Sequence, residues 1–177
     1  QIRKLKVKSF LLIFLLSVIN IQNLHTDSLN YNSLNNHGVI GLINMPTARF
    51  YDESSYGFTI YDGTPNQKVT MTSYPFDWLE ASFFYTNIQN KPYCDADFDP
   101  VCDQDYKDKG FNVKVLLKSE GRYPSLALGF NDFAGTGFYS SEYLVSNYAY
   151  KKFDFSLGIG WGNYAGSGSI TGWNTGK

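Results

Sequence analysis

The densest group of residues that could do chemistry is an acidic stretch near the middle of the chain. Asp95, Asp97 and Asp99 alternate along it. This spacing matches the first ligands of a calcium-binding loop. The match ends there, because Pro100 stands where such a loop needs glycine and Tyr106 where it needs glutamate. The stretch predicts a weak Ca²⁺ site on an outer loop, with a solvated acidic loop as the alternative.

Cys94 and Cys102 flank the same stretch and are the two cysteines of the chain. A disulfide forms readily in an exported protein, whereas the cytoplasm keeps thiols reduced. We therefore predict a Cys94–Cys102 bridge that staples the acidic loop. Two free thiols are the alternative.

Carboxylates elsewhere could suggest a glycoside hydrolase, which needs two carboxyl groups about 5 to 10 Å apart in one cleft. Glu80 falls on a predicted strand and Glu120 in a short turn, so the pattern does not bring them together. We predict no catalytic residues and no cofactor beyond weakly bound calcium. Glu80, Lys114 and Lys118 occupy polar positions of their strands and are predicted to face an interior.

Composition narrows the class of protein. The 177 residues are 43% hydrophobic, 18% aromatic and 18% charged, with 16 glycines and a net charge of −1. So little charge argues against a disordered or nucleic-acid-binding chain. Aromatic and glycine enrichment favours an all-β protein.

The first 26 residues have the features of a signal peptide. Arg3, Lys4, Lys6 and Lys8 precede an apolar run over residues 10–21. That run is too short for a helix crossing a bilayer, which needs about 20 apolar residues. A signal anchor is the alternative, since no small-residue cleavage site is evident. Residues 27–54 are predicted to form a polar linker leading into a β domain over residues 55–177.

Period-two alternation predicts about seven strands after the linker, and no window shows a helical period. The seven runs cover residues 56–61, 67–74, 79–86, 111–118, 126–131, 142–150 and 153–161.

The predicted connections differ in length at the two ends of the strands. Residues 75–77, 119–124 and 151–152 form short links, whereas residues 87–109 and 132–141 form long ones. Short turns at one end and long loops at the other are typical of outer-membrane barrels. Bacterial single-chain barrels use an even number of at least eight strands. We therefore expect the barrel to be incomplete at the C-terminus of this sequence.

The faces of the predicted strands are chemically different. In the run 153–161, Phe and aliphatic residues alternate with Asp, Ser and Gly. A membrane barrel places the apolar set outside and a soluble barrel places it inside, although the alternation is the same in both. Aromatic residues near strand ends are typical of membrane interfaces and also of ordinary strands.

An ordered set of segments resembles the YjbH-type exopolysaccharide biosynthesis proteins of Gram-negative bacteria. The segments are GVIGLINMPTAR at 38–49, WLEASF at 78–83, YKDKGFNVK at 106–114, EGRYPSLALGFNDFAGTG at 120–137, SSEYLV at 140–145 and FDFSLGIGWG at 153–162. The resemblance implies an outer-membrane β-barrel linked to exopolysaccharide production or export. Family members are longer, which implies that this chain is an N-terminal piece.

The expected fold is therefore an all-β antiparallel up-and-down meander, part of an outer-membrane β-barrel. The expected function is non-catalytic, as a component of exopolysaccharide biosynthesis or export. The expected partners are outer-membrane lipid and exopolysaccharide or other export components, without nucleic acid. A porin-like or structural barrel and a secreted carbohydrate-binding β-domain are the alternatives.

Overall fold

The computed structural model describes residues 32–64, 66–93 and 104–165. Within them the chain forms nine strands and no helix, so no described helix could cross a membrane. The strands are β1 (Gly41–Leu42), β2 (Met45–Pro46), β3 (Ser55–Asp62), β4 (Asn66–Phe76), β5 (Leu79–Pro92), β6 (Asp105–Lys118), β7 (Ser125–Asn131), β8 (Ser141–Tyr150) and β9 (Phe153–Gly162).

Strands β3 to β9 form one seven-stranded sheet in which each strand pairs with the next along the chain. Every pairing is antiparallel. This confirms the all-β antiparallel meander. The strands form because β-branched and aromatic residues alternate with polar residues, which suits a pleated surface whose two faces have different surroundings.

The connections match the predicted asymmetry at one end of the sheet. That end, here called the short-turn end, carries the links 77–78, 119–124 and 151–152. The opposite end carries the longer links 93–104 and 132–140, but also the short link 63–65 between β3 and β4. The link between β5 and β6 is shorter than the expected 87–109, because both strands extend into it.

The N-terminal segment, defined here as residues 32–51, lies against one face of the sheet. It contains a small hairpin in which β1 pairs with β2. Val39, Ile40 and Ala48 are buried in it. The region predicted to be a polar linker is thus packed from residue 32 onward. A small apolar core lies between this segment and the sheet, where Ala48 and Phe50 meet Ala127, Tyr143 and Val145.

Candidate functional site

The face of the sheet beneath the N-terminal segment is polar and buried, and is called the polar face here. Strand β4 shows the pattern: Lys68, Thr70 and Thr72 are buried, while Val69 and Met71 between them are exposed. Neighbouring strands repeat it. Their buried polar residues on this face are Glu80, Ser82, Thr86, Asp108, Asn112, Lys114, Asn131 and Asn147. Buried polar groups need partners, and the N-terminal segment supplies many of them.

Glu80 and Lys114 form an ion pair at the centre of the polar face. The ammonium nitrogen of Lys114 lies 3.1 Å from a Glu80 carboxylate oxygen, and their side chains are 0% and 1% exposed. The same carboxylate oxygen accepts a hydrogen bond from the backbone nitrogen of Ile40 at 3.1 Å. Lys114 also donates to the carbonyl oxygens of Ile40 and Arg49. The pair therefore binds the N-terminal segment on both sides of its hairpin.

Further side chains of the sheet hold the backbone of this segment. The Thr72 hydroxyl donates to the carbonyl oxygen of Gly38. The Asn112 amide donates to the carbonyl oxygen of His37 at 3.2 Å, and the Asn147 amide oxygen accepts from the Ala48 nitrogen at 2.7 Å. Gly38 has a φ of +76°, and a side chain there would overlap Thr70. The segment is thus docked mainly by polar contacts to its backbone.

Arg49 joins the end of the segment to the short-turn end of the sheet. Its guanidinium binds both carboxylate oxygens of Asp154 at 3.0 and 2.7 Å, and it also pairs with Glu120. Burial by itself lowers the pKa of Arg49, but hydrogen bonds and charge from Asp154 and Glu120 raise it above its ordinary value. Glu120 in turn accepts from the Ala149 nitrogen at 2.7 Å. These three charged residues are called the Arg49 cluster below.

A second charged group lies toward the other end of the polar face. The ammonium of Lys68 sits 4.2 Å from the Tyr139 ring centre and 4.7 Å from that of Phe84. Burial raises the pKa of Asp132, in the loop after β7, to about 6. Burial and the positive charge of Lys68 lower the pKa of His37 to about 4. His37 is therefore a half-buried, neutral residue near neutral pH.

The opposite face of the sheet is apolar and exposed, and is called the outer face here. Leu157 is 79% exposed, Ile60 73% and Ile159 64%. Other exposed residues on it are Phe58, Val69, Met71, Phe83, Tyr85, Phe111, Phe153 and Phe155. The polarity of the two faces is thus the reverse of that in water-soluble sheets, which bury their apolar side.

A cavity of about 490 Å³ remains beside the N-terminal segment. Residues of the β1–β2 hairpin form one wall, including Ile43 and Met45. Tyr143, Gly158 and Gly160, from β8 and β9, form the other. The segment therefore fills the polar face incompletely.

The residues predicted to face an interior divide into two groups. Glu80 and Lys114 lie together on the polar face. Lys118 instead pairs with Leu126 after a register shift between Leu116 and Lys118. Such a shift reverses which face a side chain occupies. Lys118 is exposed, with its ammonium 4.4 Å from the Tyr123 ring centre.

The predicted calcium and disulfide residues lie outside the described part of the chain. These are Asp95, Asp97, Asp99, Cys94 and Cys102. Among residues 32–64, 66–93 and 104–165, no three His, Cys, Asp or Glu side chains are grouped so as to hold a metal ion. The calcium site and the disulfide stay predictions, as does the signal peptide over residues 1–26.

Most of the contacts around the polar face were not predicted from the sequence. The contacts of Arg49 were not predicted, and its partners lie 71 and 105 positions away in the chain. The buried group around Lys68 was not identified. One signal was available, since residues 38–49 hold six hydrophobic residues in a stretch treated as polar.

The fold and this site define a class: antiparallel sheet proteins with a buried polar face covered by an N-terminal segment and an exposed apolar face on the opposite side. The chain belongs to the YjbH family, described as "Exopolysaccharide biosynthesis protein YbjH", which matches residues 33–176. It is 35% identical over 139 residues to the "Uncharacterized lipoprotein YjbH" of Escherichia coli (strain K12). That match covers 78% of this chain and 20% of the relative, so the chain spans about a fifth of the relative's length. No solved structure matches.

Proposed function

We propose that this chain is part of an outer-membrane β-barrel that serves exopolysaccharide biosynthesis or export. The reversed polarity of the sheet is the observation that carries this proposal. A barrel in a bilayer presents an apolar band to lipid and a polar surface to its interior. The outer face, with Leu157 and Ile60 more than 70% exposed, has the composition of that band.

The sheet edges support a barrel larger than the described meander. Strands β3 and β9 each pair with one neighbour within the described residues. An open, apolar edge promotes aggregation, and closure removes it. Because the E. coli relative is much longer, we propose that other strands of the complete protein close the sheet. The relative's description as a lipoprotein supports association with a membrane.

The proposed role includes no chemistry of the chain's own. Glu80 is paired with Lys114, and Glu120 is paired with Arg49. We propose that both carboxylates serve as structural partners of these cations rather than as catalytic groups. The interior would then guide or support polysaccharide rather than cleave it. The link to exopolysaccharide rests on the family. A porin-like or purely structural barrel has the same polarity.

Two measurements test the proposal. Density-gradient separation of the membranes of a Gram-negative host should place the complete protein in the outer membrane. Deletion of the gene should lower secreted exopolysaccharide, and the wild-type copy should restore it. A normal exopolysaccharide level in the deletion strain would favour the porin-like alternative. Recovery of the protein in the soluble periplasm would favour a carbohydrate-binding domain.

A further inference from the structure

We propose that the N-terminal segment, residues 32–51, is a displaceable plug that the Arg49 cluster holds inside the barrel. This inference rests on the proposed function, since a plug needs a barrel interior to close. Under this proposal the barrel has two conformations: its interior is closed while the Arg49 cluster is intact and opens when the segment leaves.

The first observation is that the segment begins and ends at the same end of the sheet. The Asn32 amide donates to the carbonyl oxygen of Phe50 at 2.9 Å, and the Tyr51 hydroxyl donates to the carbonyl oxygen of Asn32. Arg49 binds Glu120 in one short-turn link and Asp154 beside another. The segment is thus a loop inserted from the short-turn end, and its fixed points lie at that end.

The second observation is the chemistry of the contacts deeper inside. Thr72, Asn112 and Asn147 bind the segment's backbone through hydroxyl and amide groups. Water can replace a backbone group as partner to such side chains at little cost. A permanent core would be apolar and close-packed throughout, whereas the apolar core beneath this segment is small. The polar face can therefore exist with the segment bound or with water in its place.

The third observation is the space around the hairpin tip. Leu42, Ile43 and Met45 are 61%, 77% and 58% exposed, and the cavity of about 490 Å³ separates the hairpin from β8 and β9. The tip is therefore free on one side. The Arg49 cluster lies near the point where the segment would hinge. Its contact with both carboxylate oxygens of Asp154 is the strongest interaction there.

The opening test uses the complete protein in planar bilayers, with KCl conductance as the readout. Arg49→Gln removes the charge that holds Glu120 and Asp154. Arg122→Gln is the matched control, because Arg122 is an exposed arginine in the same short link as Glu120. We expect Arg49→Gln to raise mean conductance on the order of tenfold, because it removes the charge-assisted contacts to Asp154 and Glu120 that hold the segment in place. Arg122→Gln should conduct like wild type.

A reversible lock tests whether the segment itself moves. A Cβ atom at Gly57 would overlap the tip of the Leu34 side chain, so these two positions lie close together. Leu34→Cys with Gly57→Cys, with Cys94 and Cys102 changed to serine, should allow a disulfide that ties the segment to β3. In the Arg49→Gln background, oxidation should return conductance to the wild-type level, and a reducing agent should restore the open level.

The outcomes separate the plug from the barrel. A heat-shifted outer-membrane band for each variant shows that it is folded. If Arg49→Gln is folded and conducts like Arg122→Gln, the plug is overturned while the barrel stands. If Arg49→Gln fails to fold, Asp154→Asn takes its place with the same readouts. If the wild-type protein itself gives no outer-membrane barrel, the proposed function fails and the plug with it.

Discussion

The Glu80–Lys114 pair is the most deeply enclosed ionic contact described in this chain. Each charge depends on the other, because both side chains are almost completely buried 3.1 Å apart. Removing one partner leaves an uncompensated charge away from water, whereas removing both at once leaves only a change in packing. The pair therefore stabilises the register of β5 and β6 in which Glu80 and Lys114 lie together.

Lys114→Met should lower the free energy of unfolding by about 3–5 kcal/mol, because Glu80 is then buried without its counter-charge. Lys118→Met is the control, since its exposed ammonium near Tyr123 should contribute less than about 1 kcal/mol. Urea unfolding of the complete protein in detergent, followed by tryptophan fluorescence, measures both. Equal losses for the two variants would show that the pair is not enclosed as described.

Gly129 provides a second test at the residue scale. A side chain at this position would overlap the ring of Tyr143 on the neighbouring strand. Gly129→Ala should therefore lower the free energy of unfolding by about 1–3 kcal/mol, the usual cost of overpacking. Gly121→Ala is the matched control, because nothing lies within 4 Å of the added carbon. Adding Tyr143→Leu to Gly129→Ala should recover part of the loss; a further loss would contradict the packing described.

Single residues were predictable from the sequence only where strand alternation decides their place. Glu80 and Lys114 lie on the polar face because each follows the period of its strand. Lys118 does not, because a bulge that no residue pattern reveals shifts the register before it. The contacts of Arg49 depend on a chain path that returns after 71 and 105 residues. Local sequence carries no signal for such a return.

At the scale of elements, the seven strands of the main sheet were predictable because each alternates regularly. The prediction stopped early at β5, which runs on to Pro92 through a polar stretch. In that polar stretch, β5 is maintained by its pairing with β6 and not by an alternation of side chains. The β1–β2 hairpin was missed because two-residue strands have no period, and packing on the polar face holds them.

The two faces of β9 allow a paired test of lipid exposure. Leu157 and Ser156 are adjacent, exposed and on opposite faces. If the outer face contacts lipid, Leu157→Lys should cost about 2–4 kcal/mol near the bilayer midplane and lower the yield of folded protein. Ser156→Lys, on the polar face, should be tolerated. The yield of outer-membrane protein measures both, and equal tolerance would argue for water on both sides.

At the scale of the whole molecule, the proposal of a membrane barrel depends on which face of the sheet is covered and which is exposed. The sequence alternation fits a membrane barrel and a soluble sheet equally well. The structure orients that alternation by packing residues 32–51 on the polar face and leaving the apolar face open. The proposed link of the sheet to exopolysaccharide biosynthesis then rests on family membership.

The most direct test of the central claim is a heat-modifiability gel on the outer-membrane fraction of a Gram-negative host that makes the complete protein. Membrane barrels keep their closed hydrogen-bonded sheet until they are heated. We expect an unboiled band with altered mobility that moves to the unfolded position on boiling. A soluble protein, or an outer-membrane protein whose band does not shift, would contradict the claim that the apolar face surrounds a membrane barrel.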